Sequence, residues 1–476
     1  MNRLFISAAH KSSGKTTVCV GLCAALRARG EVVQPFKKGP DYIDPLWLGL
    51  AAGRACYNLD AYLMSDAEIR TEVARRLDGA TLGIIEGNKG LYDGLDLDGS
   101  NSNAALAVLL GAPVVLVIDA RGMTRGIAPL ILGYQAFDKN IRIAGIILNQ
   151  LGGSRHEAKL RAVIEHYTDV PVLGAIQHDE NMSIVERHLG LIPSNEAQAA
   201  SARVDAIAKR VAAQVDLDQL LAVAQRAPPL APAAAGLHST VSVSTPVSKQ
   251  TSAAPRIGIA RDAAFGFYYP GDLDALRSAG AELVMFDALR DAHLPAVDGV
   301  FIGGGFPESH MDALAANSNM RHDLRAAIEA GMPAYAECGG LMYLARSIEW
   351  NGRSAAMVGV IPADIVMHAR PVGRGYVHLR ETGRGLWARP ASSAAALIHA
   401  HEFHYSSVEN LPPNVEFAYE VERGYGIDGR HDGIVYKNLL ASYTHLRDVA
   451  SNHWAARFVS FIQHHKLNHA PLTAAH

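Results

Sequence analysis

The sequence predicts an α/β protein made of two doubly wound parallel-sheet domains joined by a flexible linker. With 476 residues, the chain is longer than one hydrophobic core usually serves. In both halves, short apolar runs rich in Ile and Val alternate with amphipathic stretches, a pattern that indicates parallel sheets covered by helices. Residues 228–255 are dominated by Pro, Ala, Ser and Thr, a composition that is typical of a linker.

These observations divide the chain into four segments. We expect an N-terminal domain over residues 1–225, a linker over 226–255, a C-terminal domain over 256–466 and a tail over 467–476. The strands expected in the N-terminal domain are 3–8, 81–87, 112–120, 141–149 and 170–176, and the expected helices are 15–29, 65–78 and 155–168. The strands expected in the C-terminal domain are 256–260, 281–286, 299–305 and 332–338. Ligands of such folds bind at the carboxyl ends of the strands, so the candidate residues are those that follow them.

The composition argues against several other classes of protein. A net charge of -3 with mixed signs leaves no electrostatic footprint for nucleic acid. Four Cys in this length do not suggest a disulfide framework, and the N-terminus lacks a signal-peptide pattern. No apolar run reaches the roughly 18 residues that a spanning helix needs. We therefore expect a cytoplasmic protein that binds small molecules rather than nucleic acid or membrane, with a homodimer left open as its assembly.

The stretch SAAHKSSGKTT (7–17) follows the first expected strand and opens a helix, which is the setting of a phosphate-binding loop. Small residues let backbone N–H groups turn around phosphates, while Lys15 reaches the β- and γ-phosphates and the Thr16 hydroxyl holds Mg²⁺. Ala9 stands where the full pattern has Gly, but the end of the motif is intact. ATP and Mg²⁺ are therefore the expected cofactors. The loop residues expected to bind ATP are Ser12, Ser13, Gly14, Lys15, Thr16 and Thr17.

Carboxylates for the metal are offered by two stretches. KKGPDYIDP (37–45) places Asp41 and Asp44 in a loop, and LGIIEGNKGLYDG (82–94) ends a strand on Glu86 and places Asp93 in the loop after it. A carboxylate at the end of a buried strand is costly unless it is paired or binds a cation. The metal site is expected at Thr16, Asp44 and Glu86, with capping and turn roles left open for the acids. Asn149 ends another strand, where its amide could read a nucleobase or cap a turn.

Cys338 in AYAECGGLMYL (334–344) follows an expected strand and precedes two glycines. A strand–turn–helix elbow exposes a nucleophile, and the N-terminus of a helix favours the thiolate. Backbone N–H groups of Gly339 and Gly304 are the candidate oxyanion hole. His445 is the candidate base, with His401 and His404 as rivals. The alternative interpretation of Cys338 is a small buried hydrophobic residue.

The motifs QPFKKGPDYIDP, NLDAYLM, EGNKGLYDG and ERHLGLIPSNE, together with the phosphate loop, resemble the cobyrinic or hydrogenobyrinic acid a,c-diamide synthases. The first half is then similar to dethiobiotin synthetase. GVFIGGGFPE, AYAECGGLMYL, HEFHYS and LASYTHL resemble the class I-type glutamine amidotransferase half of the same family. The resemblance implies that the acceptor carboxylate is lined by Asp41, Tyr42, Glu86 and Asp93, and that Asn149 serves the adenine.

The resemblance implies an ATP- and glutamine-dependent amidation of the a and c acetate groups of a tetrapyrrole polycarboxylate. ATP phosphorylates the carboxylate, L-glutamine is hydrolysed at Cys338 and His445, and ammonia displaces the phosphate. Many class I amidotransferases carry a Glu two residues after the base. Here that residue is Arg447, so we expect a Cys–His dyad, with Glu337 as either a packing or a catalytic residue.

Departures from the family motifs leave an alternative substrate open. Asn88 and Lys89 replace two usual apolar residues, and Trp47 lies where the corrin enzymes commonly have a His. A Lys beside a polycarboxylate substrate favours a different charge pattern, so amidation of sirohaem is the alternative. Lys89 is otherwise a solvated loop charge and Trp47 a core residue. A partitioning-type P-loop ATPase is disfavoured because His10 replaces its signature Lys.

Overall fold

The computed structural model divides into two compact units, Met1–Ser242 and Val243–His476. The residues that it describes are 1–179, 184, 186–187, 190–191, 193–194, 199–230, 253–387, 389 and 396–469. Most of the expected linker, five residues of the ERHLGLIPSNE motif and most of the expected tail lie outside these residues. Each unit is described by itself.

The N-terminal unit is built on a seven-stranded sheet in which every pair of neighbouring strands is parallel. Its strands are β1 (Arg3–Ala8), β2 (Val33–Lys38), β3 (Tyr57–Leu59), β4 (Leu82–Glu86), β5 (Val114–Asp119), β6 (Ile143–Leu151) and β7 (Val172–Gln177). The spatial order is β3-β2-β4-β1-β5-β6-β7, so the chain builds outward on both sides of β1. A separate two-stranded sheet joins β8 (Glu186–Arg187) and β9 (Gly190–Leu191).

Helices link these strands, as a parallel sheet requires. They are α1 (Lys15–Ala28), α2 (Ile43–Ala52), α3 (Asp66–Leu77), α4 (Asn103–Leu109), α5 (Ile127–Phe137), α6 (Ser154–Tyr167), α7 (Ala200–Gln214) and α8 (Leu217–Gln225). One apolar cluster joins buried residues of α1, α2, α7 and α8 to the central strands. Gly21 lets α1 approach α7, because a Cβ there would lie 2.3 Å from Val211 Cγ2.

All five strands and all three helices predicted for the N-terminal half are confirmed, within two residues at each end. The strands β2 and β3, the short β8 and β9, and five helices were not predicted from the sequence. In VQPFKK, Pro35 and two Lys argue against a buried strand, yet all six residues of β2 are buried. Pro35 is accommodated because it precedes the segment Phe36–Lys38 that pairs with β3.

The C-terminal unit contains a nine-stranded sheet that is parallel in one half and antiparallel in the other. Its strands, in spatial order, are β12 (Glu282–Phe286), β10 (Arg256–Ala260), β13 (Gly299–Ile302), β15 (Ala334–Glu337), β24 (Leu439–Ser442), β23 (His431–Tyr436), β22 (Glu416–Arg423), β19 (Gly373–Glu381) and β20 (Ile398–His404). The first five strands are parallel neighbours, and each later pair is antiparallel. The α/β prediction is confirmed, and the antiparallel half is an addition to it.

Smaller elements complete the C-terminal unit. A four-stranded sheet contains β16 (Ser347–Trp350), β17 (Arg353–Ala356), β18 (Asp364–Met367) and β21 (Ser406–Glu409), and β11 (Phe265–Phe267) pairs with β14 (Gly304–Gly305). The α-helices are α9 (Pro270–Ser278), α10 (Met311–Ala316), α11 (Ser318–Glu329), α12 (Gly339–Leu344) and α13 (Trp454–His469), and a 3-10 helix spans Pro307–His310. In the described part of the chain, no helix is long and apolar enough to cross a membrane.

Candidate active sites

The loop between β1 and α1 has the backbone of a phosphate cradle. Ser12 and Gly14 adopt φ angles of 65° and 79°, which turn the chain sharply before α1 begins at Lys15. Asn149 Nδ2, at the end of β6, donates to the Ser13 carbonyl oxygen at 2.9 Å. A Cβ on Gly14 would lie 2.3 Å from the same Nδ2 atom. The Asn149 amide therefore braces the loop, and its expected contact with adenine stays a prediction.

A cluster of buried charges lies beside this loop. Thr16 Oγ1 lies 2.6 Å from Glu86 Oε1 and 3.1 Å from Asp44 Oδ2. Lys37 Nζ lies 3.2 Å from Glu86 Oε1, 2.5 Å from Asp44 Oδ2 and 3.9 Å from Asp41 Oδ2. The cluster forms because β2 and β4 are parallel neighbours and Lys37 is the register partner of Glu86. The structure thus brings Thr16, Asp44 and Glu86, which are expected to hold metal, into contact. Lys37 lies among them and was not predicted from the sequence.

Two opposing effects set the pKa values in this cluster. Burial disfavours the charged form of each group, and pairing with an opposite charge favours it. Burial raises the pKa of Glu86, and the charge of Lys37 opposes that rise. Burial would lower the pKa of Lys37, but the carboxylates of Asp44 and Glu86 outweigh it and raise the pKa well above its ordinary value. Burial, then repulsion by Lys37, lowers the pKa of Lys15. Lys37 is therefore a fixed cation, since its carboxylate partners hold the proton on it.

The oxygen atoms of this cluster fit a hard divalent cation. Glu86 Oε2 is buried and has no hydrogen-bond partner, although Oε1 of the same carboxylate is paired. Carboxylate and hydroxyl oxygens are the ligands that Mg²⁺ prefers. The unpaired oxygen beside Thr16 and Asp44 is therefore suited to a metal-bound water or the metal itself.

The other residues expected at the acceptor site have more local surroundings. Asp41 Oδ1 accepts the Ile43 N–H at 2.9 Å at the start of α2, next to the buried Tyr42. Asp93 is exposed, and its Oδ2 closes a turn by accepting the Gly90 N–H at 2.8 Å. These contacts are the capping and turn roles that the sequence left open.

Three further residues of this region are a loop charge, a core residue and a buried cation. Lys89 is exposed with a φ of 43°, so it is a loop charge in this structure. Trp47 is 2% exposed and belongs to the core cluster, which accounts for it by packing. Lys38 is buried, with Nζ donating to the Asn101 carbonyl at 2.7 Å, and burial lowers its pKa to about 8. Lys38 is thus a second buried cation at the carboxyl end of β2.

Cys338 occupies a sharp elbow between β15 and α12. Its φ of 49° and ψ of -103° are strained for a residue with a side chain, and its N–H donates to the Ser442 carbonyl at 2.7 Å. Gly339 and Gly340 are required because Cβ atoms there would lie 3.0 Å from Gly305 N and 2.0 Å from Ile302 O. The elbow that the sequence predicts is therefore formed despite Ala336 in place of the usual first Gly.

His445 follows β24 and faces the elbow. Its Nδ1 lies 3.3 Å from Glu337 Oε2, and a Cβ on Gly304 would lie 2.7 Å from its Cε1. Burial would lower the pKa of His445, but the hydrogen bonds and charges of Cys338 and Glu337 outweigh it and raise the pKa to about 10. Gly339 directly follows Cys338, and Gly304 lies beside the His445 ring. The role of their N–H groups as an oxyanion hole stays a prediction.

The two rival histidines have other surroundings. His404 stacks on Tyr443 with ring centroids 3.8 Å apart, and its Nδ1 lies 2.8 Å from the Ser406 carbonyl. His401 is half-buried with its ring centroid 6.1 Å from that of His445, and its buried Nδ1 atom has no hydrogen-bond partner. Burial, followed by repulsion from His445, lowers the pKa of His401 to about 3. A neutral His401 thus backs His445, which itself makes the contact with Cys338.

Comparison with known families agrees with two distinct sites. The model of the CobQ/CobB/MinD/ParA nucleotide binding domain matches residues 5–192, and that of the CobB/CobQ-like glutamine amidotransferase domain matches residues 256–452. A protein of Magnetococcus marinus named cobyrinate a,c-diamide synthase is 48% identical over 463 residues, covering 96% of this chain and 97% of its own. Proteins with the same name from Methanosarcina acetivorans and Archaeoglobus fulgidus are 40% and 39% identical, over 98% and 96% of this chain and 97% and 96% of their own.

Proposed function

The chain belongs to the cobyrinate a,c-diamide synthase family, and from that premise we propose that it amidates the a and c acetate groups of cobyrinate or hydrogenobyrinate with ATP and glutamine. The observation that carries the proposal is that one chain contains a phosphate loop beside a buried carboxylate–lysine cluster and, separately, a Cys–His elbow. A P-loop ATPase switch has no use for the second site.

The N-terminal unit activates the acceptor. A carboxylate oxygen is a poor leaving group, so the γ-phosphoryl group of ATP is first transferred to it, giving ADP and an acyl phosphate. Lys15 and Lys37 provide the positive charge that this transfer requires. Thr16, Asp44 and Glu86 would hold Mg²⁺, which when bound neutralises phosphate charge and aligns the phosphoryl group. Asp41, Tyr42, Asp93 and Lys89 are proposed to border the acceptor carboxylate.

The C-terminal unit releases ammonia. The Cys338 thiolate attacks the side-chain amide carbon of glutamine, and N–H groups of Gly304 and Gly339 bind the developing oxyanion. His445 gives its proton to the leaving nitrogen, which departs as ammonia and leaves a glutamyl thioester. His445 then takes a proton from water as that water attacks the thioester, and glutamate leaves with Cys338 restored. The released ammonia attacks the acyl phosphate, forms the amide and displaces inorganic phosphate.

The substrate is tested by offering three acceptors with ATP, MgCl₂ and glutamine: cobyrinate, hydrogenobyrinate and sirohaem. The names of the relatives support the first two, and sirohaem is the competitor suggested by Lys89. Mass spectrometry of the products should find two successive amidations of a corrin substrate. Amidation of sirohaem alone would overturn the assignment of the substrate while leaving the reaction class intact.

Cytoplasmic location and assembly as a homodimer complete the proposal. Small-molecule substrates and the absence of a membrane-crossing helix among the described residues are consistent with the first. Light scattering of the purified protein measures the second directly, since a dimer has twice the monomer mass of 50.9 kDa.

A further inference from the structure

We propose that Glu337, the residue immediately before the nucleophile, positions His445 and completes a Cys–His–Glu glutaminase site. The inference rests on the proposed function, because it assigns a role within glutamine hydrolysis. The sequence alone predicts a dyad, because Arg447 occupies the place where many related enzymes carry the carboxylate. In the structure, that carboxylate belongs to Glu337 at the end of β15, immediately before Cys338.

The fold brings Glu337 and His445 together through neighbouring strands. Glu337 is the last residue of β15 and the register partner of Ser442 on β24, three residues before His445. The strained backbone of Cys338 then turns the chain into α12, so two consecutive residues can both serve one imidazole. Glu337 is 3% exposed and His445 is 3% exposed, which shields their interaction from water.

The two oxygens of the Glu337 carboxylate have separate partners. Oε1 accepts the Tyr335 hydroxyl at 2.6 Å and the Leu446 N–H at 2.8 Å. Oε2 lies 3.3 Å from His445 Nδ1. Because Oε1 is held by two donors, the carboxylate cannot turn away from the imidazole. A carboxylate at Nδ1 keeps the proton on that nitrogen and leaves Nε2 for exchange with the thiol.

The groups around His445 and Arg447 support this assignment. Among the described residues, the Cys338 thiol and the ring of His401 are titratable groups that face the imidazole besides Glu337. Desolvation lowers the pKa of His401 to about 3, so its ring is neutral and adds no charge beside His445. The Arg447 side chain packs over the Tyr269 ring at 4.4 Å, and its Nε lies 4.0 Å from Asp272. Residue 447 thus belongs to a different buried network, and Glu337 supplies the negative charge at Nδ1.

The test compares Glu337→Gln with Asp432→Asn. Asp432 is a buried carboxylate that accepts the Tyr443 and Thr444 N–H groups at 3.0 and 2.9 Å, so it supports the same loop through its backbone. For each variant we would measure the kcat and KM of glutamine hydrolysis, the pH profile of Cys338 alkylation by iodoacetamide, and synthesis driven by ammonium chloride.

Glu337→Gln should lower kcat for glutamine about a hundredfold or more with KM little changed, as expected for a disturbed acid–base group. The pH midpoint of alkylation should rise, and ammonium-dependent synthesis should match wild type. Asp432→Asn should leave the pH midpoint of Cys338 alkylation unchanged, even where the variant is less stable than wild type. A Glu337→Gln enzyme with the wild-type kcat and alkylation profile overturns the inference, as does an equal loss of all three readouts.

A measurement on the wild-type protein keeps the inference testable if Glu337→Gln does not fold. A proton shared between His445 Nδ1 and a buried carboxylate gives a low-field proton resonance, which should be present in wild type and missing in His445→Gln. Its absence from wild type would overturn the role of Glu337. The glutaminase kinetics, the alkylation profile and the proton resonance do not require amidation of a tetrapyrrole. A failure to amidate cobyrinate would therefore count against the proposed substrate and not against this inference.

Discussion

The hydroxyl oxygen of Thr16 lies 2.6 Å from Oε1 of Glu86, which joins the first turn of α1 to the carboxyl end of β4. This contact places the phosphate loop against a buried carboxylate whose second oxygen is unpaired. Under the proposed function, a cation and the phosphate chain of ATP bind at this site together. The predictions for the N-terminal unit follow from this relationship.

Glu86→Gln should lower synthesis about a thousandfold with either glutamine or ammonium as the nitrogen source, because it removes a charge from a water-poor phosphoryl-transfer site. Glutamine hydrolysis, measured in the same preparation, is the internal control and should persist. The dependence of residual synthesis on MgCl₂ should move to higher concentrations. Unimpaired synthesis would remove Glu86 from the site.

Lys37→Met should destabilise the N-terminal unit by about 3–5 kcal/mol, because it leaves Asp44 and Glu86 as buried carboxylates without their cation. Added MgCl₂ should restore more thermal stability to this variant than to wild type, since the cation takes over part of that charge. Lys38→Met is the matched control: it removes a neighbouring buried lysine whose amine binds Asn101. An equal response of both variants to MgCl₂ would contradict the account of Lys37.

Cys338→Ala should abolish glutamine-dependent synthesis and leave ammonium-dependent synthesis near the wild-type rate, because only the ammonia source is removed. Both rates are measured as ADP release and as amide product. If ammonium fails to support the variant while the protein remains folded, Cys338 has a role beyond glutamine hydrolysis.

Gly304→Ala should lower glutamine hydrolysis at least tenfold, because the added Cβ would lie 2.7 Å from His445 Cε1 and displace the imidazole. Gly271→Ala is the matched control, since its added Cβ meets nothing closer than Arg447 Nη2 at 3.7 Å. Steady-state glutaminase assays distinguish the two variants. Equal activity in both would mean that His445 does not need its present position.

The stability of the C-terminal unit should fall in acid because of His401. Burial, then His445, lowers the pKa of His401 to about 3. In the unfolded chain an imidazole has a pKa near 6.5. Between these values the unfolded chain binds a proton that the native protein does not. The free energy of unfolding therefore decreases as pH falls, by up to about 1.4 kcal/mol per pH unit.

The comparison of His401→Gln with wild type isolates this contribution, because the other acid-sensitive groups are common to both proteins. Urea unfolding of each protein at about pH 6.5 and about pH 5 should find a smaller acid loss in the variant. His322→Gln, which removes an exposed imidazole, should behave as wild type does. An acid loss in His401→Gln as large as in wild type would contradict the neutral state of His401 in the native protein.

The sequence predicts those parts of the molecule that local patterns encode. β1 and the phosphate loop are consecutive in the chain, and so are β15, Cys338 and the two glycines, so each motif carries its own structural setting. The contacts of Lys37 and Glu337 are different, because both depend on register between strands that are distant in sequence. A charged residue at a strand end is the signal that could have selected them.

The antiparallel half of the C-terminal sheet escaped prediction for a physical reason. In β20, for example, only every second residue is buried, so the strand contains no continuous apolar run. A search for continuous apolar runs finds the buried parallel strands and passes over strands of this kind. Asn149 illustrates the same limit at the site, since its bond to the Ser13 carbonyl could not be read from its position at a strand end.

The most direct test of the central claim follows nitrogen from one site to the other. Cobyrinate, ATP and MgCl₂ are incubated with glutamine labelled with heavy nitrogen in its side-chain amide, in the presence of unlabelled ammonium at low concentration. We predict that the wild-type enzyme forms the a,c-diamide with the heavy label in its amides, and one ADP for each amide. Cys338→Ala should form unlabelled amide. Cobyrinate recovered without any amide, while glutamine is hydrolysed and ATP consumed, would contradict the account.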